Sequence, residues 1–253
     1  MMGVTHATSG AALWIATTGV LPYLDTGIHP LPASAVLAGS IITAGAALLP
    51  DLDHHSATIA HSVPLVGRTI AAIANNVGGG HRQGFHAPLM LVGVWFLASW
   101  MSRWQWDIGE FTVAAGAGLT ALALCSFGVK ARRYVSSWAK AWAVGLAYAA
   151  LVLAMSPQGP SWLPLAVTMG YAVHLVGDIL TTGGLPVLWP ITIRPPRWVR
   201  RTPVLSAVWR PGGHVAVPLL GDAGSRREKV LGVLMSTYVS FGVVAETCRM
   251  FGL

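Results

Sequence analysis

The 253-residue chain is 54% hydrophobic and only 10% charged, less than half the roughly 25% charge of an average soluble domain. Its mean hydropathy of +0.60 sits beside a net charge of +7, so the basic excess rides on an apolar chain. That points to a bilayer as solvent and argues against direct nucleic-acid binding, while Cys125 and Cys248, both inside apolar runs, exclude a disulfide framework and a cysteine zinc site.

Met1 to His6 contains no Lys or Arg, so no signal-peptide n-region is expected and the first apolar segment should remain in the mature protein. No internal repeat and no polar linker interrupts the chain, so residues 1–253 are expected to form a single membrane-embedded domain with a basic cytoplasmic loop at 184–229. Segments near the ~20 residues that cross ~30 Å of hydrocarbon predict an all-α, polytopic transmembrane helical bundle of six to seven spans. These lie at about 5–21, 33–49, 87–106, 110–129, 139–156, 161–181 and 230–251. Pro22 and Pro50 end the first two, because proline disfavours helical geometry in the residue before it. Residues 57–77 are apolar but broken by His61, Pro64, Gly67 and Arg68, and read as a re-entrant or interface-lying segment. Ser225-Arg226-Arg227-Glu228 reads as a capping box opening the last span, with a ligand role for Glu228 the minority reading.

Placing the amino terminus in the cytoplasm puts all of the sixteen Lys and Arg residues except Arg103 and Arg249 on the cytoplasmic side, as the positive-inside rule asks. A multi-pass protein of a bacterial-type inner membrane is the expectation. The basic stretch 194–210 is expected to anchor to anionic headgroups, a phosphate site being the alternative.

That topology, fixed from the cations, brings a second set of residues to the same face. His6 opens span 1, Asp51, Asp53 and His54 follow span 2, His81 and His86 precede span 3, and His174 and Asp178 lie in the inner half of span 6. Ionisable groups near membrane helices are expensive and mark function by default. His174 and Asp178 are i and i+4, on one helical face a turn apart. Asp51-Leu52-Asp53 after Pro50 is expected to be extended, aiming both carboxylates to one side. No single helical face accommodates His81 and His86, so His81 is assigned to the loop formed by Gly78-Gly79-Gly80. Mixed imidazole and carboxylate donors suit zinc, with manganese or iron as alternatives, better than calcium or magnesium. His6, Asp51, Asp53, His81, His86, His174 and Asp178 exceed the four donors of one tetrahedral zinc, which leaves room for one or two divalent ions. Arg82 is read either as a phosphate partner or as an ion-pair partner of Asp51 or Asp53. His54 or an unliganded carboxylate is read as the catalytic proton acceptor, and His214 and Asp222 receive no role.

The chain resembles the YdjM-like family, described as LexA-binding inner-membrane-associated hydrolases and as membrane-bound metal-dependent hydrolases. The resemblance rests on Thr5-His6 with Gly10, Pro50-Asp51-Leu52-Asp53-His54, His81-Arg82 with His86, and His174-Leu175 with Asp178, continuing through Thr181, Gly184 and Leu188-Trp189-Pro190. Where the family usually reads His-Arg-Gly, any residue, Thr-His-Ser, this chain has Gln83, Phe85 and Ala87, so two hydroxyls of the pattern are absent. The resemblance implies a hydrolase and a LexA-type regulator as a possible partner. With the metal-ligand pattern, it leads to the expectation of a membrane-bound metal-dependent hydrolase of a phosphoester or ester of a lipid-like substrate. Two rival classes are a non-catalytic partner of a regulator and a proton or metal-ion transporter. Against the transporter, spans 4 and 5 carry no ionisable trail toward the outer side.

Overall fold

The computed structural model describes residues 1–253 except 21–27, 55, 56, 63–68, 70, 71, 73, 74, 77 and 81. Each of the seven apolar segments carries a helix: α1 (Gly3–Thr18), α2 (Ala33–Ala46), α3 (Met90–Arg103), α4 (Ala115–Ala131), α5 (Trp138–Met155), α6 (Leu163–Ile179) and, after two short helices α7 (Arg197–Arg201) and α8 (Pro203–Val208), the long α9 (Arg226–Phe251). Among the described residues, three stretches are long and apolar enough to cross a membrane: Ala33–Asp53, Trp138–Met155 and Arg226–Phe251. α4 and α6 are shorter apolar helices.

The helix ends follow local chemistry, and several differ from the sequence reading. The segment 110–129 yields its first residues to a hairpin, β1 (Trp106–Ile108) with β2 (Phe111–Val113), and α4 starts at Ala115. Gly109 makes that turn at φ +65°, and Thr112 Oγ1 donates to Asp107 across it (2.7 Å). Pro50-Asp51-Leu52-Asp53 is a 3₁₀ turn, not an extended strand. Proline supplies the fixed φ of a first helical position, and Leu52 N then donates to Leu49 O and His54 N to Asp51 O. At α9 only half of the expected capping box forms. Ser225 Oγ accepts from Glu228 N (3.2 Å), while the Glu228 carboxylate accepts from Gly224 N (2.7 Å) and, across the fold, from Met2 N (2.6 Å). The Thr58–His61 turn is the described start of the segment 57–77, most of whose remainder lies outside the described residues.

α1, α2 and α6 pack against one another, α4 lies on α2, α5 on α4, α3 on α6, and α9 runs along α1 and α2. Trp14, Ile42, Leu163 and Tyr171 fill the shared core, with Cys125 buried among them. Lipid offers helices no hydrophobic reward for pairing, so close contact depends on small residues and interhelical hydrogen bonds. Gly170 is one such residue: a side chain there would meet Thr43 and lie 2.7 Å from Ala46 Cβ. Tyr148 Oη donates to Ala38 O (2.5 Å) as one such bond. Large apolar side chains stay exposed on the outward faces, among them Phe96 and Trp100 of α3, Leu146 and Leu151 of α5, and Val233 and Phe241 of α9.

The basic loop is strapped to the end of α6. Val217 N donates to Ile179 O (2.7 Å), Leu220 N to Leu180 O (2.9 Å) and Arg210 Nε to Thr182 O (2.7 Å). These bonds hold residues 209–222 against the helix end that carries Asp178.

Candidate metal centre

The site is assembled where α6 ends. His174 and Asp178, a turn apart on α6, are both buried. The Ala47 carbonyl, left without a helical partner at the end of α2, accepts from His174 Nδ1 (2.7 Å). That bond places the ring proton on Nδ1 and turns the Nε2 lone pair toward the carboxylates, the orientation used by metal-ligating histidines. His6 of α1 stacks on His174, ring centroids 3.6 Å apart and planes 12° from parallel. The stack depends on Gly177, where even a Cβ would stand 3.1 Å from His6 Cε1.

His86 enters from a 3₁₀ turn, Gly84–His86, that Tyr171 of α6 ties down by donating its hydroxyl to the Phe85 carbonyl. Its Nε2 lies 3.6 Å from Asp51 Oδ1 and 3.6 Å from Asp178 Oδ2, while Nδ1 lies 3.4 Å from Asp53 Oδ2. Burial alone would strip the proton from this imidazole, but the Asp51 and Asp53 carboxylates outweigh it and push the pKa up to about 9.

Two groups therefore present ligand atoms close together: His6, His174 and Asp178, and Asp51, His86 and His174. The donor distances fit a cation. His174 Nε2 is 3.6 Å from Asp178 Oδ2 and 3.8 Å from Asp51 Oδ1, so with His86 two nitrogens and two oxygens face one another at 3.6–3.8 Å. A tetrahedral zinc with arms of about 2.0–2.1 Å separates its donors by roughly 3.3 Å. In addition, His6 Nδ1 and Nε2 and His174 Nε2 are buried without a hydrogen-bond partner among the described residues. Buried polar atoms are rarely left so, and an ion would satisfy them. These buried His and Asp groups can hold a metal ion.

The remaining predicted residues fall around this centre. Asp53 is buried and faces Nδ1 of His86, the ring edge away from Asp51 and Asp178. Arg82 stands with its Nη2 3.7 Å from Asp178 Oδ1, so its carboxylate partner among the described residues is Asp178 and not Asp51 or Asp53. It adopts φ +58°, an uncommon left-handed backbone for a residue with a side chain. His54 is half-buried beside the cluster, its N–H on Asp51 O (3.0 Å). His81 lies outside the described residues.

A family model described as YdjM inner membrane protein matches residues 1–247. The chain belongs to the YdjM inner membrane protein family. No curated protein and no solved structure matches it. The YdjM match takes in every residue of the cluster, from His6 of α1 to Asp178 of α6, and continues through most of α9.

One residue of this YdjM-family chain that sequence reasoning left without a role also belongs to the site. His214 approaches Gln83 (Nε2 to Nε2, 3.4 Å) and the Gly183 carbonyl (Nδ1, 3.4 Å). Burial draws its pKa below the ordinary range, with the Gly183 carbonyl opposing that shift. The sequence signal was faint: a lone imidazole in a loop, brought to the site only by the strap of backbone bonds onto α6.

Proposed function

We propose that the protein is a multi-pass, membrane-bound, metal-dependent hydrolase that acts at the cytoplasmic face on a phosphoester, or an ester, of a lipid-like substrate. The observation that carries this reading is the meeting of buried His6, His86, His174 and Asp178 with half-buried Asp51, five ionisable side chains from four separate segments in a membrane-type fold. Such a cluster is costly to bury unless it has an ion to hold.

Zinc is favoured by the mixture of imidazole and carboxylate donors, with manganese and iron as alternatives. A divalent cation bound there supplies Lewis acidity and a water acidic enough to ionise near neutral pH. The protein groups divide the remaining work. His86 and His174 present Nε2 to one oxygen of Asp178 (3.6 Å) while His6 faces the other (3.3 Å), so these four residues would hold a divalent ion among them. His174, with Nδ1 committed to Ala47, can serve it through Nε2. Asp53 and the Ala47 carbonyl hold the His86 and His174 rings in place. Arg82, at 3.7 Å from Asp178, keeps guanidinium N–H groups for developing charge on a phosphoryl oxygen. His54, whose backbone N–H meets Asp51 O, would accept the proton of the attacking water.

The reading is tested by turnover. Purified protein loaded with zinc, manganese or iron should release nitrophenol from a phosphodiester, and Asp51→Asn and Asp178→Asn should abolish that release. Loaded protein that turns over no phosphodiester, phosphomonoester or carboxylic ester would overturn the hydrolase reading.

A further inference from the structure

A tract of three neighbouring cavities that share lining residues runs from a trough between helices to Asp51 of the metal centre. The first, about 230 Å³, lies between α1, α2, α4 and α9, and small residues such as Ala7, Ala11, Ala44 and Gly128 open it. Ser40 and Ser240, which also line it, spend their hydroxyls on Leu37 O and Ser236 O within their own helices, so the trough presents little unmet polarity. The second, about 780 Å³, shares Thr8, Arg132, Ser236 and Ser240 with the first and adds Arg133 and Lys229. The third, about 250 Å³, shares Met2, Val4 and Arg133 with the second and reaches Asp51.

Three cations thus stand where the apolar trough turns toward the site. None of Arg132, Arg133 and Lys229 forms an ion pair with a carboxylate among the described residues. Arg132 is fixed by neutral partners instead, its Nη1 on Thr8 Oγ1 (2.7 Å) and its Nε and Nη2 on Tyr134 Oη (3.3 and 3.1 Å). Arg133 ends α4 at φ +60°, with Tyr134 N on Val129 O and Arg133 N on Lys130 O (both 3.0 Å). That is the C-terminal motif in which glycine is the usual occupant. Here the left-handed position carries a cation.

We propose that this tract seats an anionic membrane lipid, one acyl chain in the trough and the phosphate against Arg132, Arg133 and Lys229, and delivers its phosphoester to the Asp51 side of the metal centre. Charge complementarity selects the occupant: an apolar trough capped by uncompensated cations matches an amphiphile with a negative head. The delivery step rests on the hydrolase reading above; the seat does not.

The test uses the full chain in detergent, with its metal content measured, and titrates phosphatidylglycerol, phosphatidylcholine and glycerol phosphate by native mass spectrometry. Phosphatidylglycerol should bind most tightly. Arg133→Gln and Lys229→Gln together should weaken it by tens-fold, since each surface cation contributes about fivefold. Ser240→Phe, on the exposed face of α9, should fill the trough and weaken both lipids. Metal content should be unchanged in all variants, which keeps loss of folding distinguishable from loss of the seat. Equal binding of the two lipids, binding of glycerol phosphate as tight as that of the lipid, or unaltered binding by the variants would overturn the proposal. Tight, variant-sensitive lipid binding without turnover would retain the seat and remove the hydrolase reading. Turnover of a soluble phosphodiester without lipid preference would do the reverse.

Discussion

Asp178 divides its two oxygens between different partners. Oδ1 meets His6 (3.3 Å), the Met1 nitrogen (2.5 Å) and Arg82 (3.7 Å), and Oδ2 meets His86 and His174 (both 3.6 Å). Asp53 differs in kind, because it faces the outer nitrogen of one ligand ring. Asp53→Asn should therefore lower metal affinity roughly 10–100-fold while full occupancy is still reached at high metal concentration, as for other residues that orient ligands. Metal titration by calorimetry checks this, and a variant as empty as Asp178→Ala would make Asp53 a ligand. Because His86 holds its proton up to about 9, metal uptake must displace it. Binding should release protons, and the apparent affinity should fall as the pH is lowered through the neutral range. The same titration in buffers of different ionisation enthalpy reads the proton count. Part of this site was legible at residue scale, since spacing alone put His174 and Asp178 on one face and proline marked the end of the helix before Asp51. The distinct position of Asp53 was not legible, because it depends on a 3₁₀ turn that separates Asp51 from Asp53 around His86. The place of His214 was not legible either, because loop residues carry no periodicity.

Two carboxylates clamp α9 to the rest of the bundle. Glu228 accepts from Met2 N at the start of α1, and Glu246 accepts from Val20 N (2.9 Å) just past its end. The two helices therefore run in the same direction. Arg249 completes the second clamp, pairing with Glu246 and donating to Leu31 O (2.8 Å). Glu246→Ala leaves the Val20 amide and the Arg249 guanidinium without this acceptor, and should cost about 1–3 kcal/mol. The measurement is thermal unfolding in detergent, where Glu246→Gln should recover part of the loss. A second prediction at this scale concerns α6. Gly177→Ala should press on both the buried Met1 side chain and the His6 ring and reduce metal affinity with little change in overall helicity, since the added Cβ would stand 2.6 Å from Met1 Sδ and 3.1 Å from His6 Cε1. Circular dichroism alongside the metal titration separates the two effects. Hydropathy located the helix carried by each of the seven apolar segments, because each is a run of apolar residues bounded by proline, glycine or charge. It missed the hairpin at 106–113, whose strands are three residues each and whose signal is a single Gly109 turn. It also missed the Glu228 and Glu246 clamps, which join residues 226 apart in sequence.

For the whole molecule, the account places the amino terminus, the His/Asp cluster, the loop 184–229 and the cationic mouth of the lipid tract on one side of the membrane. The structure's contribution is adjacency: the loop is bonded to the end of α6, and the third cavity joins Arg133 to Asp51. Single cysteines introduced near His29 and at Trp198, in a background with Cys125 and Cys248 replaced, should be labelled by an impermeant thiol reagent from opposite sides. Labelling of both from one side would contradict the proposed spans. Charge bias is the basis for expecting this orientation, whereas the tract had no sequence signal, since it arises from small residues on four helices that meet only in the folded bundle. The central claim is that the buried cluster holds a divalent metal, and elemental mass spectrometry of detergent-purified protein tests it most directly. The account predicts near-stoichiometric zinc, manganese or iron in the wild type and its loss from both His174→Ala and Asp178→Ala in protein that remains folded. A folded wild type that stays empty when offered each metal would contradict it.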